Sequence, residues 1–295
     1  MTRPLEGERD GCRLRLAVPG KGRLAEPALA LLREAGFRFE PAARRLFAPC
    51  ENFEMDLLYV RTEDIAEYTQ DGVVDMGITG SNLVLESGAE VEERLELGFG
   101  RCSLQVAVPQ DAEVTEVGQL AGSAIATSHP RTTARFLREK GVSARLIEVR
   151  GSVEVAPLLG VAGAIVDLVA TGSTLATNGL RPIATVLASQ AVLIANPRLE
   201  GETARRRDLV QTALASVVEA GRRKYLMLNV QRSALERVRR IIPGLGAPTV
   251  MELATPGMIA VHAVVDADLV WNLLGPLKAA GASSILVMQI ENLIP

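Results

Sequence analysis

The chain has 295 residues, of which 48% are hydrophobic and only 3% aromatic, with a formal net charge of −3. That length exceeds one ordinary domain and predicts two or three. The near-neutral charge excludes the strongly basic footprint of a nucleic-acid binder and turns attention to small-molecule partners. No apolar run reaches the roughly 18 residues of a membrane span, and the opening MTRPLEGERDGCRL lacks the apolar centre of a secretory signal. Cys12, Cys50 and Cys102 are spaced for neither a zinc site nor a disulfide framework. A soluble cytoplasmic protein is expected, with cores of Ala, Val, Leu and Ile that suit buried parallel strands.

In chain order, residues 1 to about 12 read as a disordered tail. RLRLAVP reads as a strand, PGKGRL (19–24) as a Gly-rich loop and EPALALLREAG as a helix. In that helix Ala28, Leu31, Leu32 and Ala35 recur at helical spacing, Pro27 suits the first turn and Gly36 the C-terminal cap. Strand EMDLLYV, helix EDIAEYTQDG and strand VVDMGIT follow. A second series starts at Cys102 with CSLQVAVP, SAIATS, TARFLREKG, ARLIEVR, VEVAPLLG and AIVDLVATG. The alternation predicts mostly parallel α/β sheets. RPIATVL and AVLIANP then carry the chain back to the first lobe. The expected boundaries are 1–102 with 188–223 for one lobe, 103–187 for the other, and 224–295 for a C-terminal unit. That last unit, after the helical run ETARRRDLVQTALASVVEAGRRK, reads β-α-β-β-α-β, the ferredoxin-like pattern.

An internal echo is informative. VVDMGITGSNL (73–83) aligns without gaps to IVDLVATGSTL (165–175), with six identities in eleven positions. Two similar lobes facing each other across a cleft are expected, a natural small-molecule site.

The strongest chemical signal lies in the second copy. A strand carrying Asp167 runs into Ala170, Thr171, Gly172, Ser173 and Thr174, which open a short helix. Gly172 lets backbone approach an anion, and successive N–H groups and hydroxyls offer converging donors, as a terminal phosphate requires. Asp167 is placed to accept hydrogen bonds from ribose hydroxyls, as is Glu154 on the preceding helix. The plain alternative is a strand–turn–helix with Thr and Ser as caps. Lys21 and Arg23 can present two cations from a flexible loop, or be two solvated charges. Arg61 follows a strand at its C-terminal end, the usual ligand edge, or pairs with Glu63 or Asp64. Asp75, Gly80 and Ser81 mirror the phosphate loop in the other lobe. His129 can stack on a base, donate to a phosphate, or be structural, and His262 reads as structural.

The hydrophobic-Asp-hydrophobic-x-Thr-Gly-Ser-Thr run resembles the phosphoribosyl-pyrophosphate loop of phosphoribosyltransferases. The longer run from Glu154 to Leu175 resembles the ATP phosphoribosyltransferase family in its long form, as do PGKGRL, VRTEDI, DGVVDMGITG, LGFGRCSLQVAVP, ATSHPRTTARFL, PGLGAPTV and GASSILV. The resemblance implies a two-lobed catalytic core like that of periplasmic binding proteins, with a C-terminal regulatory domain. It implies transfer of the phosphoribosyl group to N1 of ATP, with Glu154, Asp167 and Ala170 to Thr174 on the phosphoribosyl side. Lys21, Arg23, Asp75, Gly80, Ser81 and His129 would then serve ATP, with Lys21, Arg23 and Arg61 assisting catalysis. Where the family usually has Tyr, this sequence has His129. Mg²⁺ would accompany the pyrophosphate, held mainly by substrate phosphates. The resemblance further implies feedback inhibition by L-histidine at Asn229, Leu245, Thr249, Val264 and Ser284, and a homo-oligomer from dimer to hexamer. Asn229 lacks the charge of the acidic residue that some members place there. Two other readings stay open, a two-lobed solute receptor without catalysis and a phosphoribosyltransferase for another base.

Overall fold

The computed structural model describes residues 13–40, 46–170, 172–242 and 246–294. The expected N-terminal tail, Thr171 and Leu245 lie outside the described residues. The chain divides into two compact units, Met1–Ala30 with Phe37–Gln211 and Leu31–Gly36 with Thr212–Pro295.

The first unit holds two sheets. In chain order its elements are β1 (Leu14–Pro19), α1 (Ala25–Glu34, whose last turn counts with the second unit), β2 (Phe47–Pro49), β3 (Met55–Val60), α2 (Ile65–Gln70), β4 (Met76–Gly80), α3 (Ser81–Ser87), β5 (Glu92–Glu96), β6 (Cys102–Pro109), β7 (Ala124–Thr127), α4 (Pro130–Glu139), β8 (Arg145–Glu148), β9 (Ala164–Val169), α5 (Ser173–Thr177), β10 (Leu180–Ser189), β11 (Ala191–Ala195) and α6 (Gly201–Gly221), inside which the division between units falls. The first lobe's sheet has the order β2-β3-β1-β4-β11-β5, and the second lobe's has β10-β6-β9-β7-β8.

The sheets are mixed, which corrects the expectation of mostly parallel pairing. β1 runs parallel to β3 and β4, and β7 parallel to β8 and β9. The remaining pairs are antiparallel. The cause is how the chain changes lobes. β11 enters from the second lobe beside the end of β4, with Ala191 opposite Gly80. β6 enters from the first beside the end of β9, with Ser103 opposite Val169. A strand that enters at the C-terminal edge of its neighbour must run against it. β2 and β5 carry no clear pattern in sequence, and the exposure of EERLE alternates only weakly.

Side-chain alternation buries both faces of the second sheet. Ala164 and Val166 join Leu104, Val106, Ile125 and Phe136 on one side, while Ile165 joins Ala107, Ala126, Val153 and Leu175 on the other. The helix expected over VEVAPLLG is a 3-10 turn at Val153–Val155 followed by irregular turns. Pro157 and Gly160 disfavour a continuous helix there.

The second unit carries β12 (Arg223–Gln231), α7 (Leu235–Ile241), β13 (Thr249–Glu252), β14 (Met258–Asp266), α8 (Val270–Ala279) and β15 (Ser283–Gln289). Its antiparallel sheet has the order β13-β14-β12-β15, a ferredoxin-like arrangement. Leu226, Leu228, Ile259 and Val261 pack one face against Val238 and Leu277 of the two helices. No helix among the described residues is long and apolar enough to cross a membrane.

Candidate functional site

Parallel strands deliver their following loops to one edge, and each lobe has three of them. In the first lobe that edge carries the loop 20–24 after β1, Arg61 after β3, and Ser81 after β4. The Gly20 N–H donates to Val60 O at 2.8 Å, which lays the basic loop against the end of β3. In the second lobe the edge carries Ser128 and His129 after β7 and Ala170 to Gly172 after β9.

A cavity of about 290 Å³ joins the two edges, lined by Arg23 on one side and by Glu154, Asp167, Ala170 and Gly172 on the other. Arg23 is anchored there, its Nη2 donating to Cys102 Sγ at 2.8 Å. Asp167 and Glu154 are half-buried. Burial pushes the Asp167 carboxyl up from its ordinary 3.8, and the Glu154 charge adds to the rise; hydrogen bonds from the Leu168 backbone N–H and the Ser128 side chain oppose it. Glu154 is presented from a 3-10 turn entered through Ser152 at φ 50, a left-handed conformation uncommon for a residue with a side chain. Two carboxylates, a guanidinium and a backbone loop make a site suited to a phosphorylated sugar.

The loop itself is where the two echoed segments differ. β9 ends at Val169, three residues before α5 begins at Ser173, leaving a turn in which Gly172 has φ 80. Among the described residues, a Cβ on Gly172 would meet no atom within 4 Å beyond its chain neighbours, so that side is open to an anion. β4 instead runs to Gly80 and passes directly into α3, with Gly80 at φ −85. A Cβ there would lie 2.5 Å from Asn82 Oδ1. Gly80 therefore offers no equivalent open side. Thr171 is outside the described residues, and Ser173 and Thr174 enter as backbone of α5.

The other singled-out residues divide. Lys21 and Arg61 are exposed on the cleft edge, and no ion pair joins Arg61 to Glu63 or Asp64 among the described residues. Asp75 precedes β4 at the far end from Ser81 and is 3% exposed; its carboxylate accepts the Arg15 N–H at 2.8 Å. Asp75 is thus a structural anchor, and its equivalence to Asp167 in sequence is not one of place. Gly80 is closely packed, and Ser81 Oγ donates to Ser189 Oγ at 3.1 Å. His129 is 4% exposed and caps nothing with its side chain. Its ring nitrogens face Asn82 Nδ2 and Ser128 Oγ, each at 2.9 Å, so no edge is offered to a base. Burial lowers its pKa, against a rise from the Glu86 charge. Asn82, Ser128 and Ser189 were not legible as site residues, since their partners are remote in sequence. The one signal was a Ser-His pair at a helix start.

In the second unit, Asn229 and Val264 lie on the sheet face away from the helices, and Thr249, opposite His262, shares that face. Asn229 pairs with Ala260 and Val264 with Tyr225, a separation of about 13 Å along the strands. Ser284 sits at φ 49 in an irregularity of β15, between the pairs Met227 with Leu286 and Asn229 with Ser283. These residues line an open surface. His262 Nδ1 and Tyr225 Oη are 2.9 Å apart.

Residues 61–217 match the family described as ATP phosphoribosyltransferase, and residues 220–292 match "HisG, C-terminal domain". The ATP phosphoribosyltransferase of Methanosarcina barkeri is 42% identical over 292 residues, covering 96% of this chain and 100% of the relative. That of Gemmatimonas aurantiaca is 45% identical over 293 residues with the same coverage. Among solved structures, the ATP phosphoribosyl transferase (HisG:HisZ) complex from Thermotoga maritima superposes with a TM-score of 0.58 at 28% identity, covering 68% of this chain and 98% of that one.

Two outcomes are expected. Gly172→Val should cost stability mainly through its left-handed backbone, about 1–2 kcal/mol, because among the described residues its Cβ meets no atom beyond its chain neighbours. Its substrate turnover should nevertheless be abolished, a combination checked by circular dichroism and rate assay on one preparation. The second concerns pH. Folded His129 resists protonation, whereas the unfolded chain takes up a proton at the ordinary 6.5, so below that pH the unfolded state binds more protons. The stability due to this residue is intact above 6.5 and is lost as pH falls below it. Melting temperatures measured against pH should fall less steeply there in His129→Gln than in the wild type.

Proposed function

The chain belongs to the ATP phosphoribosyltransferase family, and we propose on that footing that the cavity between Arg23 and Asp167 is where it joins phosphoribosyl pyrophosphate to N1 of ATP. This is the first step of histidine biosynthesis and releases pyrophosphate. With membership of the family, the solute-receptor and other-base readings lose their support. The observation that carries the assignment of place is the open Gly172 turn beside two half-buried carboxylates.

The chemistry asks little of a base. Adenine N1 has a free lone pair at neutral pH, which forms the new bond to the anomeric carbon as that carbon's bond to pyrophosphate breaks and the electron pair leaves with the pyrophosphate. Positive character develops on the ribose ring and negative charge on the leaving group. The loop amides hold the terminal phosphate, and Asp167 and Glu154 accept hydrogen bonds from ribose hydroxyls, fixing the anomeric carbon for attack. Arg23, Lys21 and Arg61 supply positive charge at the cleft edge for the departing pyrophosphate and the triphosphate of ATP. Among the described residues no group of three or more His, Cys, Asp or Glu side chains could hold a metal ion. Mg²⁺ would ride on the substrate's own phosphates, a common mode for a hard cation that keeps its waters. The free, buried Cys50 and Cys102 suit a reducing cytoplasm.

Regulation by L-histidine belongs to the second unit. Asn229, Thr249, Val264 and Ser284 are too dispersed to enclose an amino acid within one chain. Exposed Leu286, Val287 and Met288 on β15 offer apolar surface for assembly. We therefore link inhibition to a homo-oligomer, from dimer to hexamer, in which another subunit covers that face.

Pyrophosphate release should require ATP among a panel of bases and nucleotides. Asp167→Asn should raise KM for phosphoribosyl pyrophosphate or depress turnover while altering ATP binding little. Equal loss for both substrates would count against this division of the cleft. Thr249→Ala should relieve histidine inhibition with rate and oligomer size unchanged; no inhibition and no calorimetric binding of histidine by the wild type would sink the regulatory reading.

A further inference from the structure

A row of polar side chains runs from the first lobe to Asp167. Ser189 Oγ donates to Asn82 Oδ1 at 2.8 Å, Asn82 Nδ2 is 2.9 Å from His129 Nε2, and His129 Nδ1 is 2.9 Å from Ser128 Oγ. Ser128 stands beside Asp167, one residue beyond the parallel pair Thr127 with Val166, and its side chain helps to hold that carboxyl's pKa down. Asn82, His129 and Ser189 are buried.

The direction of every bond in this row is fixed by the inventory of donors and acceptors. Ser189 Oγ already accepts from Ser81 Oγ and from the Asn82 backbone N–H, both at 3.1 Å, so its own hydrogen goes to Asn82 Oδ1. That leaves Asn82 Nδ2, a pure donor, facing His129, whose Nε2 must accept. A neutral imidazole that accepts at Nε2 carries its hydrogen on Nδ1 and donates it to Ser128 Oγ. The single hydroxyl hydrogen of Ser128 is then left for Asp167, which accepts only.

Capping of α4 does not account for the row. Glu86 on α3 accepts the N–H groups of Arg131 and Thr132, each at 2.8 Å, and the His129 N–H is taken by Thr127 Oγ1 at 2.9 Å. The helix start is satisfied without the imidazole. A buried amide, imidazole and hydroxyl cost stability unless paired, and here their pairing leads to the carboxylate of the cavity.

We propose that His129 is a positioning residue for the transfer reaction: through Ser128 it orients the Asp167 carboxylate toward the ribose, and through Asn82 it ties that orientation to α3 of the first lobe. The proposal rests on the reading of Asp167 as a ribose-binding group. The charged groups that face Asp167 are Glu154 from the 3-10 turn and Arg23 from the β1–α1 loop, and the one facing His129 is Glu86 from α3.

The test uses the full-length enzyme with ATP and the Mg²⁺ complex of phosphoribosyl pyrophosphate, with Asp167→Asn as reference. That reference keeps the substrate's own phosphate ionisation and loses the carboxylate's. Removal of the Ser128 donor should move the acid limb of kcat/KM for phosphoribosyl pyrophosphate up by about one pH unit, an approximately ten-fold loss on that limb. Ser128→Ala and His129→Phe should both give this displacement while KM for ATP stays within about two-fold, well under one pKa unit's worth. A folded His129→Phe enzyme with the wild-type acid limb and wild-type KM for phosphoribosyl pyrophosphate would overturn the proposal. Should His129→Phe not fold, ¹⁵N NMR of the wild-type ring decides: hydrogen on Nδ1 of a neutral imidazole is expected, and hydrogen on Nε2 overturns it. If Asp167→Asn itself leaves the limb and KM untouched, the site reading fails. If Asp167→Asn changes them and His129→Phe does not, the positioning role alone fails.

Discussion

The first unit is organised by the chain's passage between its two sheets at residues 97–101 and again at Gln190. Each passage brings a strand in at the loop edge of the other lobe, so β6 and β11 run against their neighbours. The same passages hold the two loop edges together: Cys102 receives the Arg23 guanidinium at the first, and Ser189 receives Ser81 and Asn82 at the second. The cleft, with Arg23 beside two carboxylates, and the row of buried polar groups all depend on where those passages fall.

The duplicated strand–turn–helix illustrates how a repeat can keep its letters and change its use. Both copies begin a helix at the same aligned Ser, yet β9 stops three residues short of its helix while β4 runs into its own. In one copy the released turn opens a glycine to the cavity, and in the other Asn82 and Ser189 occupy the corresponding space.

Much of this was legible from residues alone, for physical reasons. Apolar runs such as LRLAVP and CSLQVAVP declare themselves as buried strands, and the β-α-β-β-α-β order of the last seventy residues was readable from periodicity. The edge strands β2 and β5 were not, because a half-exposed strand of three to five residues carries little hydrophobic signal. Strand direction is not legible locally, because it depends on where the chain re-enters a sheet, a long-range property. Asp75 looked equivalent to Asp167 since alignment sees spacing from the Thr-Gly-Ser turn and not strand length. The Asn82 to His129 contact spans 47 positions, and nothing local marks either residue as half of a pair.

Diffraction from crystals grown with phosphoribosyl pyrophosphate and Mg²⁺ tests the central claim most directly. The account requires the 5-phosphate on the backbone amides of the Ala170–Thr174 turn, with ribose hydroxyls on Asp167 and Glu154. A phosphate seated at Gly80 and Ser81, or a ribose out of reach of Asp167, would contradict it.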